Sequence, residues 1–232
     1  MKSTISAIAI AALAGTAWGQ TTFTITANEA QTIQSGGPRD GGNDPFFHNA
    51  QGSSSGSFAS YAASDYSTAG SGFTASDDLD SITFSIFQDN AFFTTNGPLN
   101  FYVASASNSM FSLSYQGDNV AANPGGLQNV QLVGSGQFIE LAGNQLNEYV
   151  FNFDVADDSA LELFIENALL NGDELRWVIA AGNSSTSATF AGIGNFDAPA
   201  PRLSFEYSLI PAPGAVAALG MGGLVATRRR RA

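Results

Sequence analysis

Histidine is the side chain best suited to acid–base chemistry near neutral pH, and this chain has one, His48, in the stretch D-P-F-F-H-N. A Ser-His-Asp triad needs a base that is oriented by a carboxylate and lies beside a nucleophile. Serines are abundant, but no G-x-S-x-G elbow occurs, and residues 52–56 (G-S-S-S-G) have the composition of a flexible loop. A zinc site with one histidine and no cysteine would depend on carboxylates, which is atypical. We therefore predict no catalytic residue and no enzymatic activity.

Carboxylates cluster at two places. Asp77, Asp78 and Asp80 precede a predicted strand, and Asp157 and Asp158 precede a predicted helix. Paired carboxylates carry out glycoside hydrolysis, and calcium takes oxygen ligands, so the first group is a candidate structural calcium site. An EF-hand spacing is absent, and loop solvation and helix capping explain both clusters without a metal. We predict no cofactor and keep structural calcium as an alternative.

Aromatic rings in or near predicted loops are candidates for sugar binding, because their flat apolar faces can stack on flat apolar groups. The candidate glycan platform consists of four such residues: Phe46, Phe47, Tyr61 and Tyr66. Trp177 in L-R-W-V-I shares its parity with Leu175 and Ile179, which favours burial in a core over a surface platform.

Short runs of alternating apolar and polar residues predict most of the elements that would position these side chains. In residues 81–87 (S-I-T-F-S-I-F), for example, Ile82, Phe84 and Ile86 face one way. The same period predicts strands at residues 22–27, 100–106, 110–115, 130–133, 137–141, 149–155, 175–181, 188–191 and 203–207. Period-two patterning indicates strands with one wet face. With Gly-, Asn- and Pro-rich turns between them, such strands predict a single antiparallel β-sandwich.

One segment has the period of a helix instead. Residues 159–172 (S-A-L-E-L-F-I-E-N-A-L-L-N-G) place an apolar stripe at Leu161, Phe164, Ile165, Ala168 and Leu169. Gly172 is the predicted C-cap. We expect one short helix laid across one end of the sandwich.

Composition and charge restrict the class of partner. The chain has no cysteine, which excludes disulfides and thiol metal sites. Five of the eight basic residues lie in terminal segments predicted to be removed, which leaves Arg39, Arg176 and Arg202 against 20 acidic residues. Such a surface repels phosphate backbones, so we predict no nucleic-acid partner.

The N-terminus, residues 1–19, has the three parts of a Sec-type signal peptide. Lys2 supplies a positive start, residues 5–13 are apolar, and Ala17 and Gly19 form a small-x-small cleavage site. The apolar part is too short to span a bilayer. We therefore predict a signal helix that is removed on export, and a β-sandwich ectodomain at residues 20–208.

The C-terminus, residues 209–232, combines a proline pair, a short apolar segment and a basic end. Pro211 and Pro213 precede residues 215–226, which carry no charged side chain. Twelve helical residues cover about 18 Å, against about 30 Å of hydrocarbon in a bilayer. The chain then ends in a cluster of charges that resists translocation: Arg228, Arg229, Arg230 and Arg231. A frayed, glycine-rich basic terminus is the alternative interpretation.

In order and position, this tail resembles the PEP-CTERM sorting signal of bacterial exosortase substrates. The motif reads Pro211-Ala212-Pro213, where the family has a central Glu. The resemblance implies a short C-terminal transmembrane helix, transient anchoring, cleavage near the motif by an exosortase-type enzyme, and release to the cell surface or matrix. The departure at Ala212 implies processing by a variant enzyme.

A second resemblance covers about fifty residues of the last third. The predicted helix, then residues 175–179, 188–191 and 200–207 (A-P-R-L-S-F-E-Y), are similar in order to DNRLRE-type jelly-roll modules of secreted proteins, some of which bind carbohydrate. The resemblance implies a jelly-roll-like sandwich.

Two functions of different classes follow. The first is a non-catalytic exported protein of the cell surface or the exopolysaccharide matrix of a biofilm, anchored in the membrane through its tail before processing. The second is a carbohydrate-binding module that contacts extracellular polysaccharide. A polysaccharide-active enzyme ranks third.

Overall fold

The computed structural model describes residues 19–39, 45–89, 94–141, 145–154 and 159–210. The predicted signal helix, the sorting motif at 211–213, the C-terminal hydrophobic helix and the terminal arginines lie outside these ranges. Ala17, Asp157 and Asp158 lie outside them too. Of the helices within the described ranges, none has the length and apolar character needed to cross a bilayer.

The described residues form strands, one α-helix and two short 3₁₀ turns. The strands are β1 (Thr21–Thr26), β2 (Glu29–Gln34), β3 (Gly37–Pro38), β4 (Phe47–Gln51), β5 (Ser60–Ser67), β6 (Asp77–Phe87), β7 (Gly97–Ser105), β8 (Gln128–Phe138), β9 (Leu146–Asn152), β10 (Glu174–Ala181), β11 (Ser187–Ala191) and β12 (Arg202–Leu209). The helix is α1 (Ala160–Asn171), and the 3₁₀ turns are Ser53–Phe58 and Met110–Ser112.

Two antiparallel sheets make up the sandwich. The smaller sheet has the order β1-β12-β6-β9, and the larger has the order β11-β4-β5-β10-β7-β8, with β2 beside β5 and β3 beside β2. Every strand pairing described is antiparallel. The predicted fold class, mainly β with an antiparallel sandwich and one short helix, is confirmed.

The inner core lies between the sheets and is built from the predicted alternation. Ile82, Phe84 and Ile86 of β6 are all buried in it. The indole of Trp177 stacks on Phe84, with ring centroids 5.6 Å apart and planes 26° apart. The predicted burial of Trp177 is therefore confirmed. Each large apolar side chain removed from water contributes roughly 1.5–3 kcal/mol to folding.

A second core covers the other face of the larger sheet. Val178 and Ala180 of β10 and Tyr61 of β5 face it, and the connection between β7 and β8 covers it with Met110, Leu113, Val120 and Leu127. The middle strands of this sheet are therefore buried on both faces, which is why β5 has no wet face. The expectation of one wet face per strand is wrong for β5 and β10.

Several local predictions are also wrong. Residues 110–115 lie in the cover of the second core, and Met110–Ser112 is a 3₁₀ turn capped by the Ser109 hydroxyl. The strands predicted at 130–133 and 137–141 fall on one irregular strand, β8, which ends at Phe138, so residues 139–141 lie beyond it. The predictions missed β2, β3, β4 and β5, whose residues do not follow a clean alternation.

The helix matches its prediction. Ser159 is the N-cap, with its side chain accepting a hydrogen bond from the Glu162 N–H, and Gly172 is the C-cap in the left-handed conformation at φ 73°. Ile165, Ala168 and Leu169 join the inner core. Only a glycine adopts this φ at little cost, so Gly172 ends the helix where the sequence predicts.

Candidate functional site

His48 lies in the protein interior, where it cannot reach a substrate from solvent. It is 1% exposed, and its Nε2 lies 3.1 Å from the Ser64 hydroxyl on β5. Its Nδ1 has no hydrogen-bond partner within the described ranges, so no described carboxylate orients the ring. Burial lowers the pKa of His48 to about 3, which keeps the ring neutral. The Ser64–His48 contact ties β4 to β5 and lacks the third member of a triad.

Tyr61 and Tyr66 do not form a surface platform, so this part of the predicted glycan site is wrong. Both lie in β5 and are 0% exposed, with Tyr66 in the inner core and Tyr61 in the second core. Burial raises the pKa of both phenols. The error arises because β5 is covered on both faces, which the S-Y-A-A-S-D-Y-S sequence does not reveal.

Phe46 does lie at the surface, with Phe47 half-buried beside it, and a third ring joins them. Phe46 is 39% exposed, and its ring centroid lies 4.7 Å from that of Phe47 in an edge-to-face arrangement. Phe196 is 93% exposed, with its centroid 6.4 Å from that of Phe46 and the ring planes 58° apart. We call Phe46, Phe47 and Phe196 the aromatic cluster.

Sequence reasoning missed Phe196. It lies in G-I-G-N-F-D-A-P, the loop between β11 and β12, far along the chain from Phe46. An aromatic residue inside a stretch of turn-forming residues is a signal that could have drawn attention to it.

Hydrogen bonds fix this loop against the segment that carries Phe46. The N–H groups of Gly192 and Gly194 donate to the carbonyls of Phe46 and Pro45, at 2.9 and 3.1 Å. A Cβ on Gly192 would lie 2.1 Å from the Pro45 carbonyl oxygen, so this close approach requires glycine. The two segments are therefore held in a fixed relation.

Asn195 holds the loop from a second direction. Its amide donates to the Asp89 carboxylate at 2.6 Å, and its side-chain oxygen accepts from the Asp197 N–H at 2.9 Å. Asn195 itself is buried, whereas the neighbouring Phe196 and Asp197 are exposed. The loop thus presents one ring and one carboxylate to solvent on an ordered backbone.

The three aspartates considered for calcium do not converge. Asp77 accepts from the Thr74 N–H and hydroxyl at 2.7 and 2.8 Å, and Asp80 accepts from the Ser208 hydroxyl at 3.0 Å. The three also lie within β6 and not before it. A register shift between β6 and β12 occurs at this point, where Asp80 has no register partner on β12.

Asp78 instead meets two carboxylates of α1. The ligand oxygens of Asp78, Glu162 and Glu166 lie within 4.8 Å of one another, and Asp78 and Glu162 are 5% and 2% exposed. We call these three residues the carboxylate cluster. Glu166 also accepts from the Leu79 N–H at 3.1 Å. A hard cation would suit these oxygens, but with one ligand oxygen from each residue the three carboxylates provide only three of the six to eight oxygens that calcium takes. The cluster is not assigned as a metal site.

The two ends of the described chain lie at the same end of the sandwich. Thr21 pairs with Tyr207, and Leu209 pairs with Asp77. The aromatic cluster is at the opposite end. Asp89, which is bonded to the Phe196 loop, lies two residues beyond the end of β6, and that loop leads into Arg202, the first residue of β12. Eight residues of β12 separate the ends by about 25 Å.

Comparisons with known proteins give no family. No family model matches this sequence, and no curated protein matches it. Among solved structures, a chain from the 2.6 Å structure of T=1 particles derived from infectious bursal virus is similar with 12% identity and a TM-score of 0.21. The similarity covers 91% of this chain and 48% of the viral chain, so this chain spans about half the length of that relative. A TM-score this low carries no argument about fold or function.

Proposed function

We propose that this chain is a non-catalytic exported protein of the cell surface or extracellular matrix. In this proposal the tail anchors it transiently in the membrane, and an exosortase-type enzyme releases it by cleavage near Pro211, Ala212 and Pro213. The observation that supports the proposal best is the position of the two predicted processing points. Gly19 and Gln20 are exposed, Leu209 and Ile210 are 48% and 50% exposed, and both pairs lie at the same end of the sandwich.

Both cores are built from residues of the described ranges. The buried apolar residues of the described chain run from Ala27 to Tyr207. The hydrogen bond from the Ile210 N–H to the Ser76 carbonyl, at 2.8 Å, fixes the chain just before the proline pair. A cut beyond Ile210 would therefore remove the apolar tail and the arginines and leave both cores intact. An accessible site next to a folded body is what a processing enzyme needs.

The proposed geometry also fits display away from a membrane. With the tail in the bilayer, the end that holds Leu209 would face the membrane, and the aromatic cluster would face outward. The released body would carry few basic side chains against 20 acidic ones, which favours solubility and disfavours anionic partners.

The mass of the natural surface-released protein tests this proposal. We expect a product that begins near Gln20 and ends near Pro213, without Arg228, Arg229, Arg230 and Arg231. An intact arginine cluster on soluble, surface-released protein would overturn the proposal. Replacing the four arginines by serine should abolish membrane retention of the precursor, and the matched control Arg39→Ser should not. Ala212→Glu, which restores the Glu of the PEP-CTERM pattern, should be processed at least as fast as the wild type.

Carbohydrate binding is the second candidate function. The observation that favours it is the pair of exposed, tilted rings of Phe46 and Phe196 on a hydrogen-bonded frame. It is compatible with display at the surface, because a displayed module needs a contact surface directed away from its anchor.

A further inference from the structure

We infer that the aromatic cluster binds one neutral pyranose unit of an extracellular polysaccharide. The inference rests on the second candidate function, carbohydrate binding, and is independent of how the chain is sorted. It replaces the platform expected from sequence, since Tyr61 and Tyr66 are buried and Phe196 takes their place.

Phe196 is almost fully exposed to solvent. Scattered exposed apolar residues are common, but Phe196 is 93% exposed and lies beside a second exposed ring, Phe46. The loop that carries Phe196 is structured, because the neighbouring Asn195 is buried and hydrogen-bonded to Asp89. The exposure of Phe196 is therefore not a result of an unstructured loop. Preorganisation of this kind lowers the entropic cost of binding.

The angle between the rings limits what they can hold. Coplanar rings would make a flat platform for several sugars in a row, whereas planes 58° apart with centroids 6.4 Å apart form a corner. A corner contacts one small ring on two sides. A pyranose fits this shape because its C–H faces are apolar while its hydroxyls lie around the rim.

An exposed carboxylate in the same loop as Phe196 suits hydroxyl donors. It belongs to Asp197, the next residue, while the Asn195 amide on the other side of Phe196 is already bonded to Asp89. Carboxylates accept from sugar hydroxyls and repel other carboxylates. A neutral sugar is therefore favoured over a uronic acid.

The size of the cluster argues against a protein partner. A phenylalanine offers about 150–250 Å² of surface, so the exposed parts of Phe46 and Phe196 together present roughly 250 Å². A standard protein interface buries about 800 Å² on each side. The cluster is therefore large enough for one sugar ring and too small to be the centre of a stable dimer on its own.

The inference is tested by measuring whether the protein, in its surface-released form, is retained on polysaccharides. We expect binding to at least one neutral polymer in a panel of cellulose, amylose and dextran, and none to alginate or polygalacturonate, which are uronate polymers. Phe196→Ala should weaken the neutral-polymer binding about tenfold or more. Its exposure means that the substitution should leave the melting temperature unchanged.

Phe111→Ala is the matched control, because Phe111 is 51% exposed but lies in the cover of the second core. The control should bind like the wild type. Asp197→Asn should weaken binding by a few-fold and leave folding intact.

The inference is overturned if no neutral polymer is retained, if only uronate polymers are retained, if Phe196→Ala binds like the wild type, or if Phe111→Ala loses as much binding as Phe196→Ala. The inference is also overturned if size-exclusion chromatography shows that Phe196→Ala loses a dimer that the wild type forms, while its retention on polysaccharides is unchanged. That result would assign the aromatic cluster to self-association.

Discussion

The ring of Tyr149 lies directly on the backbone of Gly136, across the gap between the edge strands of the two sheets. A Cβ on Gly136 would lie 2.7 Å from the Tyr149 ring, and a Cβ on Gly134 would lie equally close to the Phe151 ring. Gly134 and Gly136 belong to β8, and the two rings belong to β9. Without side chains at these positions, β8 allows the aromatic rings of the facing sheet to close this side of the sandwich.

We therefore predict that Gly136→Ala destabilises the protein by about 1–3 kcal/mol, the range for inserting an atom into a well-packed core. The added methyl would meet ring atoms that are fixed by packing against Phe101, whose centroid is 4.6 Å from that of Tyr149. Gly36→Ala is the matched control, because no atom lies within 4 Å of its Cβ position. Equal urea midpoints for Gly136→Ala and Gly36→Ala would contradict the prediction.

The buried ion pair of Arg176 and Asp65 anchors the cover of the second core. The guanidinium donates to both Asp65 oxygens at 2.7 Å, and also to the side-chain and backbone oxygens of Asn108 at 3.0 and 2.8 Å. Asp65→Ala leaves a buried cation uncompensated, so we expect a loss of about 3–5 kcal/mol in the free energy of unfolding.

The double variant Asp65→Leu with Arg176→Met should recover much of that loss, because apolar pairs often replace buried ion pairs without cost. Chemical denaturation of the single and double variants checks this. If the single substitution costs less than about 1 kcal/mol, the pair is not the anchor described here.

His48 should make stability depend on pH in one direction. Its folded pKa is about 3, below the ordinary value of 6.5, so the unfolded chain binds the proton more readily. The contribution of His48 is fully present above about pH 6.5 and is lost progressively as the pH falls towards 3, at up to about 1.4 kcal/mol per pH unit. His48→Gln should lack this component.

Two measurements check the His48 prediction. The difference in unfolding free energy between wild type and His48→Gln should be constant above pH 7 and change in favour of the variant between pH 6 and 4. In the wild type, the NMR signals of the His48 ring should show no titration between pH 8 and 4. A midpoint near 6.5 for the folded ring would contradict the buried, neutral imidazole.

The sequence predicts the parts of this fold that follow one simple period. β6 and α1 are examples, since each has one apolar face and clear end signals such as Gly172. It does not predict β5, because that strand is covered on both faces by segments distant in the chain, and Tyr61 and Tyr66 look like loop aromatics until the covers are known. The aromatic cluster could not be predicted from the sequence for a similar reason. Phe196 and Phe46 are far apart in the chain and meet only in the folded structure, so local spacing carries no information about their contact. Phe46 and Phe47 could be selected from sequence because they are adjacent aromatic residues in a stretch predicted to be a loop.

The carboxylate cluster of Asp78, Glu162 and Glu166 gives the last prediction. Carboxylates within 4.8 Å of one another repel when they are ionised, and burial reduces the screening by water. In protein treated with a chelator, Glu162→Gln is therefore expected to raise the free energy of unfolding by roughly 1–3 kcal/mol. Glutamine keeps the side-chain length and is accepted at the third position of a helix that begins with a serine cap.

Glu140→Gln is the control for a simple change in net charge, because Glu140 is exposed. Thermal melting of both variants and the wild type, each in chelator and in calcium, distinguishes repulsion within the cluster from a stabilising Glu162 charge and from a bound cation. Repulsion predicts a higher melting temperature for Glu162→Gln in chelator and no change for Glu140→Gln. A variant that melts below the wild type in chelator would show that the Glu162 charge is stabilising where it lies, and would contradict the repulsion argument. A ligand that binds only the native state must raise its stability. If calcium raises the melting temperature of the wild type but not that of Glu162→Gln, a cation bound by the carboxylate cluster removes the repulsion.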